Sequence, residues 1–206
     1  MEKFGDPTFE YHSALVKIWG LLTLRFTDDP ILPLYPGDYS TEIHEYAKKL
    51  PISDTTFGGP YKEFFKSLKK LAKTTRRFER RRERLVERLD EEYNNGTSTD
   101  EELPSVLFKR MKKANERLTH FERGFIDPEG LKDRSWFKHI LYAPHMWTGY
   151  HSQVFPALSE ALESGDAEEI QHAINQTASR IRAAGKYLKA DYDEDDDDDD
   201  EDGDDE

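Results

Sequence analysis

The sequence predicts an all-α fold, a helical bundle followed by an acidic tail. Apolar residues recur at three- and four-residue spacing in successive segments, Pro, Gly and Asn clusters separate those segments, and strand signals are too short and scattered to support a sheet. At 206 residues the chain has the size of one domain with an appendage. Of 43 acidic residues, 14 fall in the last sixteen positions, which leaves 29 acids against 30 bases in residues 1–190. The expected organisation is therefore a near-neutral folded domain over 1–190 and a disordered Asp/Glu-rich tail over 191–206.

The elements follow in order. Asp6-Pro7 reads as a helix start, and Phe9, Leu15, Ile18, Trp19, Leu22 and Phe26 continue it at helical spacing to about residue 27. Pro30, Pro33, Pro36 and Gly37 then make a turn-rich connector whose Ile31, Leu32 and Leu34 anchor to the core. Asp38 or Ser40 caps a short helix carrying Ile43, Tyr46, Ala47 and Leu50, and Ser53 to Pro60 reads as loop. From Tyr61 a helical period (Phe64, Leu68, Leu71, Phe78, Leu85, Leu89) runs for nearly thirty residues, long enough for a bundle helix. A turn around Asn94-Asn95-Gly96 leads to a helix from about Pro104 through Phe121, with Gly124 placed as a left-handed residue just past its end. Residues 125–150 lack a sustained period and mix turn residues with Trp136, Phe137, Ile140, Leu141 and Trp147, as in an ordered, apolar-anchored connection. A short helix over 155–163 follows, and Asp166 to Glu169 forms a capping-box pattern opening the last helix, whose one face carries Ile170, Ala173, Ile174, Thr177, Ile181 and Leu188.

Composition excludes several classes of function. Without cysteine there is neither a disulfide nor a thiol nucleophile, and any metal site would depend on histidines and carboxylates. His139, His145 and His151 are the candidates, but they make no helical i, i+4 pair and no ligand spacing with an acid. Six consecutive aspartates in the tail lack the glycine and apolar positions of a calcium-binding loop. The basic segment Lys62 to Arg88, which includes Arg76, Arg77, Arg80, Arg81 and Arg82, is interleaved with Glu79, Glu83 and Glu87, so it reads as a self-neutralising helix face, and nucleic acid is not an expected partner. The most apolar stretch, Ala14 to Phe26, is interrupted by Lys17 and Arg25 and falls short of the ~20 residues a membrane span needs. No secretory signal is read at the amino terminus, and the sequons at Asn95 and Asn175 bear on glycosylation only in a secretory context. No P-loop, dinucleotide fingerprint, G-x-S-x-G or H-E-x-x-H is present, so the chain is not expected to be an enzyme by itself.

The ordered segments FERGFIDPEGL (121–131), DRSWFKHILYAP (133–144), GY (149–150) and FPAL (155–158) resemble the C-terminal helical domain of the glutamate carboxypeptidase II and transferrin receptor family. EKFGDPTFEYHSALVKIWGLLTLRF (2–26) and ILPL (31–34) resemble the opening of the same region. The resemblance spans about residues 2–188 and is weakest over 52–100. It implies a transferrin receptor-like dimerisation domain, which in complete family members follows a protease-associated domain and a zinc peptidase domain. The family's last zinc-ligand histidine lies shortly before the segment that EKFGDP resembles, so zinc belongs to the peptidase domain and this chain is expected to hold no metal and no cofactor. The resemblance also implies a substrate-pocket contribution. A family Lys-Tyr pair receives a substrate carboxylate, Tyr150 matches the tyrosine, and Gly149 stands where the lysine would be. Loss of that cation weakens the case for glutamate specificity, because a buried carboxylate without its charge partner is costly.

The expected function is thus protein–protein interaction by homodimerisation, with Trp136, Phe137, Trp147 and Phe155 as the interface candidates and a peptidase domain as a possible further partner. The alternative is a C-terminal piece of a working zinc-dependent carboxypeptidase whose loop around Tyr150 shapes the pocket. The sequence assigns no compartment, although the resemblance implies an extracytoplasmic domain of a membrane-anchored protein.

Overall fold

A computed structural model describes residues 5–96 and 99–189. The helices are α1 (Glu10–Asp28), α2 (Pro36–Lys48), α3 (Asp54–Asn94), α4 (Ser105–Phe121), α5 (Pro156–Ser164) and α6 (Ala167–Leu188). Two 3-10 turns, Asp100–Glu102 and Glu122–Phe125, flank α4. The all-α expectation holds, and the acidic segment 191–206 with its boundary at 190 lies outside the described residues. Among the described residues no helix is long and apolar enough to cross a membrane.

The bundle is organised around α6, which packs on α3, α4, α5 and the second 3-10 turn. Its sequence places Ile170, Ala173, Ile174, Thr177, Ala178, Ile181, Ala184, Gly185 and Leu188 on one face, and all nine are buried. Across from them α3 contributes Phe64, Leu68, Leu71, Thr75 and Phe78 at the same period. Small residues let the partners close in. A Cβ on Gly124 would stand 2.2 Å from the Cα of Ala184, so the expectation of a left-handed helix end at Gly124 is corrected. Its backbone belongs to the 3-10 turn, and the missing side chain is what admits α6.

Caps come partly from neighbours and partly from distant parts of the chain. Asp166 accepts from the N–H groups of Glu168 (2.8 Å) and Glu169 (3.1 Å), as its position predicts. Glu169 does not close the box. Its carboxylate binds Lys132 and the Ser164 hydroxyl, while the Asp166 N–H donates to Ser164 Oγ at 3.3 Å. At α2 the helix starts at Pro36, earlier than expected, because Glu79 of α3 accepts from the Gly37 N–H at 2.7 Å. Ser40, expected as a possible cap, is instead buried and exchanges a 3.0 Å hydrogen bond with Thr75 of α3.

The connector 30–35 docks as its apolar residues predict. Ile31 is buried, and Asn115 of α4 clamps the connector by accepting from the Leu32 N–H and donating to the Pro30 carbonyl, both at 2.9 Å. The segment expected as loop over 53–60 is helical from Asp54 on both sides of a kink at Gly58 (φ 47°, ψ −113°), which precedes Pro60, while Ser53 is extended.

The largest departure is α1. Its apolar residues recur at helical spacing, as a helix packed on a core requires, yet not one of its residues is buried. Pro7 precedes the helix rather than opening it, because Phe9 turns through a left-handed conformation (φ 58°) immediately before Glu10. Asp6 steadies that turn by accepting from the His12 N–H at 2.9 Å and binding its ring Nδ1 at 2.5 Å.

Candidate interaction surface

The segment between Phe125 and Pro156 is held by backbone hydrogen bonds rather than by a helix. Asp127 N–H donates to Lys138 O (2.7 Å), Leu131 N–H to Phe137 O (3.0 Å) and Ile140 N–H to Phe125 O (2.9 Å). Strands β1 (Tyr142–Pro144) and β2 (Ser152–Val154) then pair antiparallel, a small ladder that the sequence did not suggest. Leu131, Ile140, Leu141 and Ala143 point into the core and fix the segment from below. Gly130 is left-handed (φ 73°) with the Ser135 carbonyl oxygen only 2.2 Å from where a Cβ would be, so this turn admits glycine alone.

On this frame the aromatic candidates separate. Trp136 is 69% exposed and leans on Phe137 at 5.7 Å between ring centroids. Phe137 is half-buried, and the Arg134 guanidinium sits 5.3 Å from its ring centre. Arg134 binds Glu160 of α5 and donates to the Pro144 carbonyl at 2.8 Å, which ties β1 to α5 underneath the aromatic pair. Burial pushes the Glu160 carboxyl above its ordinary range although the Arg134 charge opposes it. Trp147 is 79% exposed on the loop joining the strands. That loop is closed by His145 N–H to His151 O (2.8 Å) and Gly149 N–H to His145 O (3.0 Å), with Gly149 at φ 65°. Tyr150, next to the closing residue His151, is 96% exposed.

Phe155 behaves otherwise. It is 1% exposed, its N–H donates to Leu141 O, and its ring meets Phe64 of α3 edge-on at 5.8 Å. Its expected place among the surface aromatics is therefore corrected: Phe155 is a core residue that joins β2 to α5.

The histidines do not converge. Among the described residues no group of three or more His, Asp or Glu side chains is placed so that it could hold a metal ion. Part of the basic face of α3 is consumed by tertiary contacts. Arg82 stacks on Tyr35 (4.7 Å) and reaches Leu32 O, and Glu63, which pairs with Lys66 within α3 (3.4 Å), also reaches Arg182 of α6 (3.6 Å).

The apolar residues of α1 form a second exposed set. Tyr11, Leu15, Val16, Ile18, Trp19, Leu21, Leu22 and Leu24 are each at least half exposed. The signal was present in the sequence, since apolar side chains surround the helix instead of lining one side of it.

Comparison with known proteins adds an independent line. The family model described as the transferrin receptor-like dimerisation domain matches residues 60–189. A probable glutamate carboxypeptidase of Zea mays is 30% identical over 94% of this chain and 26% of its own length. One from Arabidopsis thaliana is 28% identical over 93% of this chain and 26% of its own length. An inactive zinc metalloprotease of Schizosaccharomyces pombe is 28% identical over 92% of this chain and 23% of its own length. The chain thus spans about a quarter of the length of the relatives it matches.

Proposed function

Since the chain belongs to the transferrin receptor-like dimerisation domain family, we propose that it is a protein–protein interaction module that pairs with a second copy of itself. The observation that carries this reading is the exposure of Trp136 and Trp147 on a segment pinned to the core by Leu131, Ile140 and Leu141. Exposed aromatics on a rigid base suit an interface, because they bury large area at little cost in chain ordering. A two-fold contact places the same patch on both sides.

In this reading the chain contributes contact and no catalysis, cofactor or metal of its own. Light scattering on the eluting protein tests the pairing. We expect twice the 24.1 kDa chain mass at micromolar concentration, and one chain mass after the double change Trp136→Ser and Trp147→Ser. A wild-type mass of one chain up to roughly a millimolar overturns it, since a Kd above that level corresponds to only about 4 kcal/mol.

The exposure of Tyr150 favours a second contribution, a loop lent to the substrate pocket of a peptidase domain like those of the named relatives. In the context of such a complete protein, Tyr150→Ala should raise KM with dimer mass unchanged, and an unaltered KM removes this contribution.

A further inference from the structure

We propose that the acidic segment following α6 lies back along its own chain, in a cationic trough that continues the seat of α6 between α3 and α4, and so straps the open end of the bundle. The proposal goes beyond the homodimer reading and does not rest on it.

The trough follows from where the helices end. Helices α3 and α6 run in the same direction: Glu63 meets Arg182, and further along a Cβ on Gly185 would lie 3.6 Å from Leu71. Helix α6 stops at Leu188, about one turn beyond that contact, whereas α3 runs on to Asn94. Helix α4 returns beside this overhang. Arg82 of α3 and Asn115 of α4 both bind the Leu32 backbone, and α4 reaches the end of α6 only at His120, which stacks on Tyr187 at 6.1 Å. The helices packed on α3 are α2, α4 and α6, with α2 on the Glu79 side, and α4 is packed by α3, α6 and the second 3-10 turn. Among the described residues the side of α3 and α4 that seats α6 is therefore an open trough beyond Leu188.

Both walls of the trough are basic. At about 100° per residue, Arg77, Arg81 and Arg88 repeat the position of Lys70 on α3 to within about 20°. Lys70 lines a cleft of about 70 Å³ against α6, together with Ser67, Thr74, Lys186 and Lys189, so the face of the cleft carries on past the helix end. Glu79, Glu83 and Glu87 interleave with these arginines in sequence but fall about 100° or more away from Lys70, and Glu79 is engaged with Gly37. On α4, Arg110, Lys113 and Arg117 fall in the arc between His120 and buried Phe121, and Glu116 falls outside it. Helix α6 carries no acid after Glu169. A concave site with basic walls and so few acids focuses its field on an anion.

The chain supplies that anion at the mouth of the trough. Fourteen acids fall in residues 191–206, and Lys189, which ends α6, lines the cleft. The overhang from Thr74 to Arg88 is about 21 Å long, and an extended chain covers it in about seven residues. A polyanion tethered this closely has an effective concentration of about millimolar order, so any foreign anion competes at a disadvantage. Each pair is solvent-exposed and weak by itself, which makes the strap releasable by salt.

The test treats the full chain with a carbodiimide, which joins a carboxylate to an amine in contact with it, and maps the products by mass spectrometry. Carboxylates of residues 191–200 should join Lys113 roughly tenfold more than the exposed Lys48 and Lys132. Salt at about 1 M, where the Debye length is about 3 Å, should remove the preference. The double change Arg81→Glu and Arg117→Glu should remove it at low salt. Deleting residues 191–206 should lower the melting midpoint by about 2–4 °C at low salt, and the difference should vanish at about 1 M. If the double variant fails to fold, the salt and deletion arms, which leave the sequence of the bundle intact, decide. Even labelling of the three lysines, a preference that survives salt, or a deleted chain that melts with the full chain at low salt would overturn the proposal. In an equal mixture of isotope-labelled and unlabelled protein, the joined peptides should both come from one chain. Pairs of mixed label would seat the segment on a second copy and overturn the strap, while leaving the homodimer intact; loss of dimer mass with the Lys113 preference preserved would defeat only the homodimer.

Discussion

Helices α1 and α6 are close in length and both are rich in apolar residues, yet one is bare and the other is the centre of the fold. The difference lies in arrangement. On α6 the apolar and small residues follow a single face from Ile170 to Leu188 and meet α3, α4 and α5, while polar residues such as Gln171, His172, Asn175 and Arg182 fill the rest. On α1 apolar residues occupy every side, so no single neighbouring helix could have covered them. Local pattern therefore decides whether a helix can be satisfied by its own bundle or needs to be surrounded.

This contrast is open to direct measurement, and the largest expected effect comes from deleting the same kind of side chain in the two places. Ile181→Ala on α6 removes a fully buried side chain between α3 and the rest of α6, and should cost about 2–5 kcal/mol in urea unfolding. Leu22→Ala on α1, half exposed, should stay within about 0.5 kcal/mol of wild type. Comparable losses at the two sites would mean that α1 is packed against the bundle in solution.

The next effect sharpens the account of the buried side. Gly124→Ala places a methyl group against the backbone of Ala184, which cannot swing away as a flexible side chain can. Overpacking of this kind costs about 1–3 kcal/mol. Gly37→Ala is the companion experiment: there the Cβ would meet the Glu79 carboxylate, the mobile end of a side chain, and a smaller loss is expected. If the two substitutions melt alike, close backbone approach is not what Gly124 supplies.

Much of the bundle was legible from the sequence because its helices are stabilised by one-sided period and by local caps. The face of α6, the period of α3 and the capping by Asp166 all depend on residues within a few positions of one another. What was not legible depends on residues far apart in the chain. The start of α2 is set by Glu79, 42 positions beyond Gly37, and the role of Gly124 is set by Ala184. The β1–β2 ladder is three residues on each side and is fixed by register, which composition does not encode. The interface candidates divided for the same reason. Trp147 and Phe155 lie on one connection and are both aromatic, but only Phe155 follows β2 into contact with Phe64. The apolar surround of α1 is legible in the sequence once Val16, Leu21 and Leu24 are counted beside Leu15, Ile18, Trp19 and Leu22.

The smallest effect uses pH to probe the buried side. His139 lies between Phe125 (6.1 Å) and Tyr142 (6.0 Å), its Nδ1 accepts from the Leu141 N–H at 3.3 Å, and its Nε2 has no hydrogen-bond partner. Burial pushes the imidazole below its ordinary value of 6.5, while Glu122, 3.7 Å from Nε2, opposes the shift. Protonation would put a donor where Nδ1 now accepts, consistent with a fold that favours the neutral ring. As pH falls, the unfolded chain therefore takes up a proton at this position before the folded one does. The His139 contribution to stability is fully present above the ordinary histidine range and is lost as pH falls through the lowered folded value. His139→Phe keeps a ring between Phe125 and Tyr142 and removes the titration. The wild-type unfolding midpoint should therefore drop more steeply than that of His139→Phe between about pH 7 and pH 5, and parallel profiles would place His139 in surroundings as open to water as those of α1.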